Sequence, residues 1–238
     1  MKLSFTNIRE MVEIQARRYG DRIAIRYYDR DITYRELDGR SNRVANGLLK
    51  LGVRKGDRVC ILMDNSPEFY EAYFGIIKIG AIAGPVNCWW QTGEIQYLLN
   101  DSGAVALFCD HAYRGHVDKI IDGTPALKHV IEREATDDRF LKFEDLQKEA
   151  AELTPVEIAL DDVATIVYTS GTTGNPKGVL LTHRNILTNS WQASLLANID
   201  ENDVIMCFLP LFHVNGLVIT GTSPLSKGSQ IILRRNFS

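Results

Sequence analysis

A loop rich in glycine and hydroxyl residues carries the strongest chemical signal in this sequence. Residues 168–179 read YTSGTTGNPKGV and follow the short apolar run 163–167, whose composition is typical of a buried strand. The glycines let backbone N–H groups converge on one anion, the hydroxyl groups add neutral donors, and the lysine adds a mobile charge. The pattern therefore predicts a phosphate-binding loop at the end of a strand. Its binding residues would be Thr169, Ser170, Gly171, Thr172, Thr173, Gly174 and Lys177.

The spacing of this loop differs from that of a Walker A motif. Gly178 follows Lys177, where a P-loop NTPase carries the Ser or Thr that binds Mg²⁺, so an ordinary P-loop NTPase is disfavoured. Glycine, serine, threonine and proline also cluster in linkers. The loop taken alone therefore leaves both a phosphate site and a flexible surface linker open.

The wider sequence resembles the adenylate-forming (AMP-binding) superfamily, which includes acyl-CoA synthetases, luciferases and peptide-synthetase adenylation domains. The loop closely matches the phosphate-binding signature of this superfamily. Residues 209–216, LPLFHVNG, resemble its next motif, and residues 32–37, ITYREL, resemble a weaker one near the N-terminus. The resemblance extends from Phe5 to Phe237.

This resemblance implies an acid–thiol ligase of the AMP-forming type, acting on a fatty or related acyl acid. A carboxylate would attack the α-phosphate of ATP, and CoA would then accept the acyl group, with Mg²⁺ on the nucleotide. The seven loop residues would hold the β- and γ-phosphates. A lone histidine in apolar company is usually a packing residue, but the motif around His213 favours substrate positioning over proton transfer. Substrate contacts are expected from Phe212, His213, Asn215 and Gly216, and the resemblance implies no metal ligand within this chain.

Composition excludes several other classes of function. The 238 residues are 45% hydrophobic, so the chain can bury a substantial core. A net charge of −3 and a pI near 6.0 give no general attraction to nucleic acid. The N-terminal segment has charges every few residues, which predicts neither a secretory signal nor a membrane span and favours the cytoplasm. The cysteines lack metal-binding spacing, so buried reduced thiols are expected at Cys60, Cys88, Cys109 and Cys207.

Strand and helix patterns alternate along the chain, which predicts an α/β fold of mostly parallel sheets flanked by helices. We expect a first subdomain over residues 1–155 and the start of a second, incomplete one over residues 156–238. His183 should be structural, because it lies in the first turn of a helix capped by Thr182. The aromatic residues at helical spacing, Tyr70, Tyr73 and Phe74, should be core. The pair Trp89–Trp90 should pack beneath a loop, and the alternatives are an aromatic pair that faces a partner or touches a membrane.

The chain departs from the superfamily pattern after Ser238. It lacks the aromatic-Gly-x-Thr-Glu stretch, the acidic residue that binds ribose, and the mobile C-terminal lid domain with its catalytic lysine. Three hypotheses follow: an N-terminal fragment of an acyl-CoA synthetase that is inactive alone, one subunit of a split ligase, or a non-catalytic module that binds a nucleotide or a protein. The sheet that begins at residue 163 would be unfinished. Its exposed edge would pair with the missing half or with another copy of the chain.

Overall fold

The computed structural model describes residues 4–169 and 176–235. Its helices are α1 Ile8–Tyr19, α2 Tyr34–Lys50, α3 Pro67–Lys78, α4 Thr92–Ser102, α5 Arg114–Ile120, α6 Phe143–Leu146, α7 His183–Leu196 and α8 Ser223–Leu225, with a π-helix at Asn215–Thr222 and 3₁₀ turns at His111–Tyr113 and Ile121–Gly123. Its strands are β1 Ile23–Tyr27, β2 Arg30–Thr33, β3 Arg58–Leu62, β4 Ile82–Pro85, β5 Ala106–Asp110, β6 His129–Arg133, β7 Leu141–Lys142, β8 Val163–Thr169, β9 Lys177–Thr182, β10 Val204–Cys207 and β11 Gln230–Leu233.

Side-chain caps fix the starts of the first two helices. The Asn7 side chain accepts a hydrogen bond from the Glu10 N–H at 2.9 Å. Thr33 and Glu36 form a reciprocal capping box, in which the Glu36 carboxylate accepts from the Thr33 N–H at 2.8 Å. Both pairs satisfy N–H groups that a helix terminus otherwise leaves without partners.

Two sheets organise the chain. A seven-stranded sheet has the order β7-β6-β5-β3-β4-β8-β9, and a four-stranded sheet has the order β10-β11-β1-β2. Strand pairs within the first sheet are parallel, apart from the antiparallel β8–β9 pair. The prediction of an α/β fold with mostly parallel sheets is therefore confirmed.

Each sheet contains strands from both sides of the predicted boundary at residues 155 and 156. β8 lies beside β4, with Thr165 opposite Ala83, and β11 lies parallel to β1. Gly84 lets β4 lie close to β3, because a Cβ at this position would lie 2.9 Å from Cys60 Sγ. The boundary predicted from the sequence therefore does not separate the two sheets.

The core is centred on α3. Tyr70, Tyr73 and Phe74 are buried, as their spacing predicted. Gly75 on the same helix brings it close to α2, since a Cβ there would lie 2.7 Å from Val44 Cγ1. The Tyr73 hydroxyl lies 3.0 Å from Thr165 Oγ1, so α3 is also joined to β8 inside the core.

Exposed apolar side chains lie on edge strands of both sheets. β8 has neighbours on both sides, so the edge of its sheet is β9, on which Val179 and Leu180 are exposed. β10 is an edge of the other sheet and exposes Val204 and Met206. Of the cysteines, Cys60, Cys109 and Cys207 are buried free thiols, and Cys88 is half-buried. Within the described ranges, no helix is long and apolar enough to cross a membrane.

Candidate active site

The predicted phosphate loop closes a β-hairpin. β8 and β9 pair antiparallel, and Thr169 lies opposite Lys177 at the open end of the pair. Gly178 lies opposite Tyr168, and a Cβ at this glycine would lie 2.7 Å from Ile166 Cδ1. The connection therefore returns into a strand, whereas a P-loop leads from a strand into a helix.

The structure describes the two ends of this loop. Thr169 and Lys177 are both exposed, on adjacent strands at the carboxyl end of β8. The other predicted phosphate-binding residues, Ser170, Gly171, Thr172, Thr173 and Gly174, lie outside the described residues. The roles assigned to all seven stay predictions.

A partly buried hydrogen bond fixes the strand that leads into the loop. The Tyr168 hydroxyl donates to Asp101 Oδ2 of α4 at 2.6 Å. Burial, together with the neighbouring carboxylate, raises the pKa of Tyr168 above its ordinary value, so the hydroxyl stays a neutral donor. The end of β8 is thus attached to a helix on one face of the sheet.

The second motif, residues 209–216, follows β10 and includes the first two residues of the π-helix Asn215–Thr222. The His213 backbone N–H donates to the Pro210 carbonyl at 3.0 Å, and His213 Nδ1 accepts from the Asn215 N–H at 3.2 Å. Because Nδ1 is an acceptor, the neutral ring carries its proton on Nε2. His213 is exposed and can therefore offer an Nε2–H donor to a ligand oxygen.

Asn215 and Gly216, which were also predicted to contact the substrate, are placed differently from His213. Asn215 is exposed, and its backbone supports the His213 ring. Gly216 is buried, and a Cβ there would lie 2.3 Å from the Pro210 carbonyl oxygen and 2.7 Å from that of Leu209. Neither residue lines either of the two cavities at this edge of the sheet. Their geometry therefore indicates that they set the backbone conformation of the second motif.

An inner cavity of about 220 Å³ brings the two motifs together. Thr169 from the end of β8 and His213 from the second motif both line it. Asn87 and Trp90, which follow β4, close another side. Parallel strands place their carboxyl ends at one edge of a sheet, where ligands bind in α/β proteins. The arrangement can hold a polar group between a hydroxyl, an imidazole N–H and aromatic rings.

A larger outer cavity of about 640 Å³ lies on the other side of Phe212, which lines both cavities. Cys88 and Trp89 line the outer cavity, while Trp90 is buried and faces the inner one. Trp89 is 73% exposed, so the two members of the tryptophan pair have different environments.

Sequence reasoning missed three polar residues at the outer cavity. Asp64 and Asn65 follow β3, and Arg235 follows β11. Their position just after predicted strands is the signal that could have identified them. Asp64 accepts from the Tyr113 hydroxyl at 2.6 Å and from Arg235 Nε at 2.8 Å, so its charge is compensated. The described part of the chain has no cluster of His, Cys, Asp and Glu side chains suited to a metal ion.

His183 lies in the core, away from both cavities. Its Nδ1 accepts the Ile8 N–H at 3.2 Å and so caps the start of α1. Burial lowers the pKa of His183 to about 4, which keeps the ring neutral. This geometry agrees with the predicted structural role.

Known proteins are similar to this chain over nearly its whole length. The AMP-binding enzyme family model matches residues 12–238. Among curated proteins, the crotonobetaine/carnitine–CoA ligase of Salmonella heidelberg (strain SL476) is 34% identical over 244 residues. That match covers 98% of this chain and 47% of the relative. The chain thus spans about half the length of the curated relatives it matches.

Solved structures of similar proteins share the fold. The anthranilate CoA ligase AuaEII in complex with anthranoyl-AMP has a TM-score of 0.92 at 27% identity, covering 100% of this chain and 46% of that one. ATP-bound MatB from Rhodopseudomonas palustris has a TM-score of 0.85 at 27% identity, covering 98% of this chain and 46% of that one. The chain therefore belongs to the AMP-binding enzyme family.

Proposed function

We propose that this chain is the N-terminal part of an AMP-forming acid–thiol ligase that binds MgATP and a carboxylic acid. The observation that carries the proposal is the inner cavity, where Thr169 at the phosphate loop lies together with His213 of the second motif. Relatives of this chain are CoA ligases, and similar structures contain ATP or an acyl-adenylate.

The proposed reaction has two substitutions. In the first, a carboxylate oxygen forms a bond to the α-phosphorus of ATP, the bond to the β-phosphate oxygen breaks, and pyrophosphate leaves. In the second, a thiol sulfur attacks the acyl carbon, the acyl–phosphate C–O bond breaks, and AMP leaves while the thiol proton passes to solvent. Both steps require positioning and charge stabilisation more than covalent help from the protein.

The residues of the site have separate proposed roles. Lys177 supplies positive charge to the β- and γ-phosphates, and Thr169 adds a hydroxyl donor. His213 donates Nε2–H to an oxygen of the acyl carboxyl group, which orients that group without proton transfer. Mg²⁺ arrives on the nucleotide, because Mg²⁺ sites commonly use substrate phosphates and waters with few protein ligands.

The acyl substrate is proposed only by class. The relatives act on acids as different as carnitine and anthranilate, by their names. A fatty or related apolar acid fits the aromatic and aliphatic lining of both cavities. We also propose a cytoplasmic location, because the four cysteines are free thiols, as is typical of a reducing compartment.

We also propose that the exposed edges are covered by further polypeptide in the working enzyme, either a C-terminal half or a second copy. Val179 and Leu180 on β9, with Val204 and Met206 on β10, expose apolar surface on edge strands. Such surfaces favour pairing with another chain. Light scattering at increasing concentration tests the second-copy form, and a constant monomer mass would rule it out.

Calorimetric titration of MgATP into the folded 238-residue chain tests the proposed function. Lys177→Ala should weaken ATP binding about tenfold to a hundredfold, because charge-assisted phosphate contacts contribute about 1.5–3 kcal/mol. AMP lacks the β- and γ-phosphates, so its binding should be the same in both proteins. Lys148→Ala is the matched control, since Lys148 is exposed and pairs with Asp145. Equal ATP affinity in the wild type and Lys177→Ala would contradict the assigned role of the loop.

A further inference from the structure

Tyr168 is the first residue of the phosphate-loop motif, and it has no role yet in the proposed site. It is 9% exposed and belongs to the same buried apolar cluster as Trp90, which lines the inner cavity, and Leu98 of α4. Phenylalanine would supply the same ring to this cluster. The hydroxyl is therefore the distinctive part of the side chain, and it donates to Asp101 Oδ2 at 2.6 Å.

Asp101 lies in the last turn of α4, where a carboxylate is unfavourable for the helix. The C-terminal end of a helix carries partial negative charge, which cations stabilise and anions do not. Within residues 4–169 and 176–235, Asp101 forms no ion pair that would offset this cost. Its side chain instead accepts from two tyrosine hydroxyls, Tyr168 at 2.6 Å and Tyr97 at 3.4 Å. A residue that opposes its own helix is expected where it serves a contact outside that helix.

The ring of Tyr168 also contacts the second strand of the hairpin. Tyr168 lies opposite Gly178, and a Cβ at Gly178 would lie 3.0 Å from Tyr168 Cζ. Gly178 directly follows Lys177 on β9, an edge strand that pairs with β8 and whose residues 177–180 are exposed. The position of Lys177 therefore depends on the end of β8, and the bond to Asp101 holds that end.

We propose that Asp101 is a positioning residue for phosphate binding, which acts through the Tyr168 hydroxyl to hold Lys177 within reach of the β- and γ-phosphates. This inference rests on the proposed function, because the ligand it serves is MgATP. Asp101 itself lies outside both sequence motifs. Donors that are fixed before a ligand arrives bind it more tightly, since less conformational entropy is lost on binding.

The two hydrogen bonds of Asp101 differ in what they hold. The bond from Tyr168 has the length of a charge-assisted O–H···O⁻ bond, about 2.5–2.7 Å, and such bonds are about twice as strong as neutral ones. It joins α4 to β8. The bond from Tyr97 is longer and joins two residues of the same helix. Loss of the first bond should therefore affect the hairpin, and loss of the second should not.

Calorimetric titration of MgATP into variants of the 238-residue chain tests the assignment. Tyr168→Phe and Asp101→Leu should each weaken ATP binding about twofold to tenfold, the factor that corresponds to one hydrogen bond. The double variant should lose no more than either single one, because both changes remove the same bond. Asp101→Asn keeps an oxygen that accepts from the hydroxyl and should restore most of the affinity. Tyr97→Phe is the matched control and should bind ATP like the wild type.

The same substitution in the Lys177→Ala background separates positioning from a general effect on the fold. Because Asp101 is proposed to act by holding Lys177, Tyr168→Phe should have little further effect once residue 177 is alanine. Equal losses in both backgrounds would overturn the inference, as would unchanged ATP affinity in Tyr168→Phe or an equal loss in Tyr97→Phe. Failure of the proposed function looks different, since the wild type and Lys177→Ala would then bind ATP equally.

Discussion

Acid should destabilise this protein through a single buried histidine. His183 is 1% exposed, and its Nδ1 accepts the N–H of Ile8 at the start of α1. Burial is the main cause that lowers its pKa to about 4, with Lys55 acting in the same direction and Asp162 opposing it. Protonation would remove the acceptor from the helix start and place a charge in the core.

The size of the effect follows from the two protonation states. The unfolded chain takes up the proton near its ordinary pKa of about 6.5, and the folded chain does so only near about 4. The stabilisation that folding gains by keeping His183 neutral is therefore fully present above about pH 6.5 and is lost as the pH falls through about 4. Between about pH 7 and about pH 4, the free energy of unfolding should fall by about 3 kcal/mol through this group.

Urea unfolding of the wild type and His183→Asn over this pH range measures the effect. The Asn side-chain oxygen replaces Nδ1 as acceptor but does not titrate, so the variant should be less stable near neutral pH and have a smaller pH dependence. The stability difference between the two proteins should shrink by about 3 kcal/mol towards about pH 4. Parallel pH profiles for the wild type and His183→Asn would refute the reasoning.

Two further substitutions test the site segment and a buried carboxylate. Gly216→Ala should destabilise the chain by about 1–3 kcal/mol in urea unfolding, because its Cβ would overlap the carbonyl oxygens of residues 209 and 210. Gly93→Ala, where nothing lies within 4 Å of the added Cβ, should not, and equal effects would contradict the steric argument. Glu71 is 2% exposed, and burial raises its pKa to about 7. The favourable contribution of this group to the free energy of unfolding is therefore present below about pH 4.5 and is lost as the pH rises through about 7. Glu71→Gln should therefore gain stability relative to the wild type by up to about 3 kcal/mol from about pH 5 to about pH 8, and a difference that does not change with pH would refute it.

Local signals in the sequence predicted local structure well. Thr182 was predicted to cap a helix and does mark the start of α7, because the side chain and the N–H group it binds lie within one turn. Strand pairing is not local, so the parallel pairing of β1 with β11 had no signal near either strand. The predicted subdomain boundary missed this pairing for that reason. The fates of Trp89 and Trp90 also depended on tertiary contacts, since neighbouring residues on one loop face different cavities.

The meeting of the two sequence motifs depends on one asparagine. Asn65 follows β3 and is nearly buried, and its Nδ2 donates to the Leu209 carbonyl at 2.9 Å and to the Arg234 carbonyl at 3.0 Å. Its Oδ1 accepts the Leu211 N–H at 2.8 Å. These bonds attach the second motif and the end of β11 to the carboxyl edge of the seven-stranded sheet. Thr169, the last residue of β8, lies at the same edge. A buried amide with its donors and acceptor satisfied fixes one arrangement, because any shift would leave polar groups unpaired. The inner cavity therefore owes its position to the junction of the two sheets as much as to the motifs themselves.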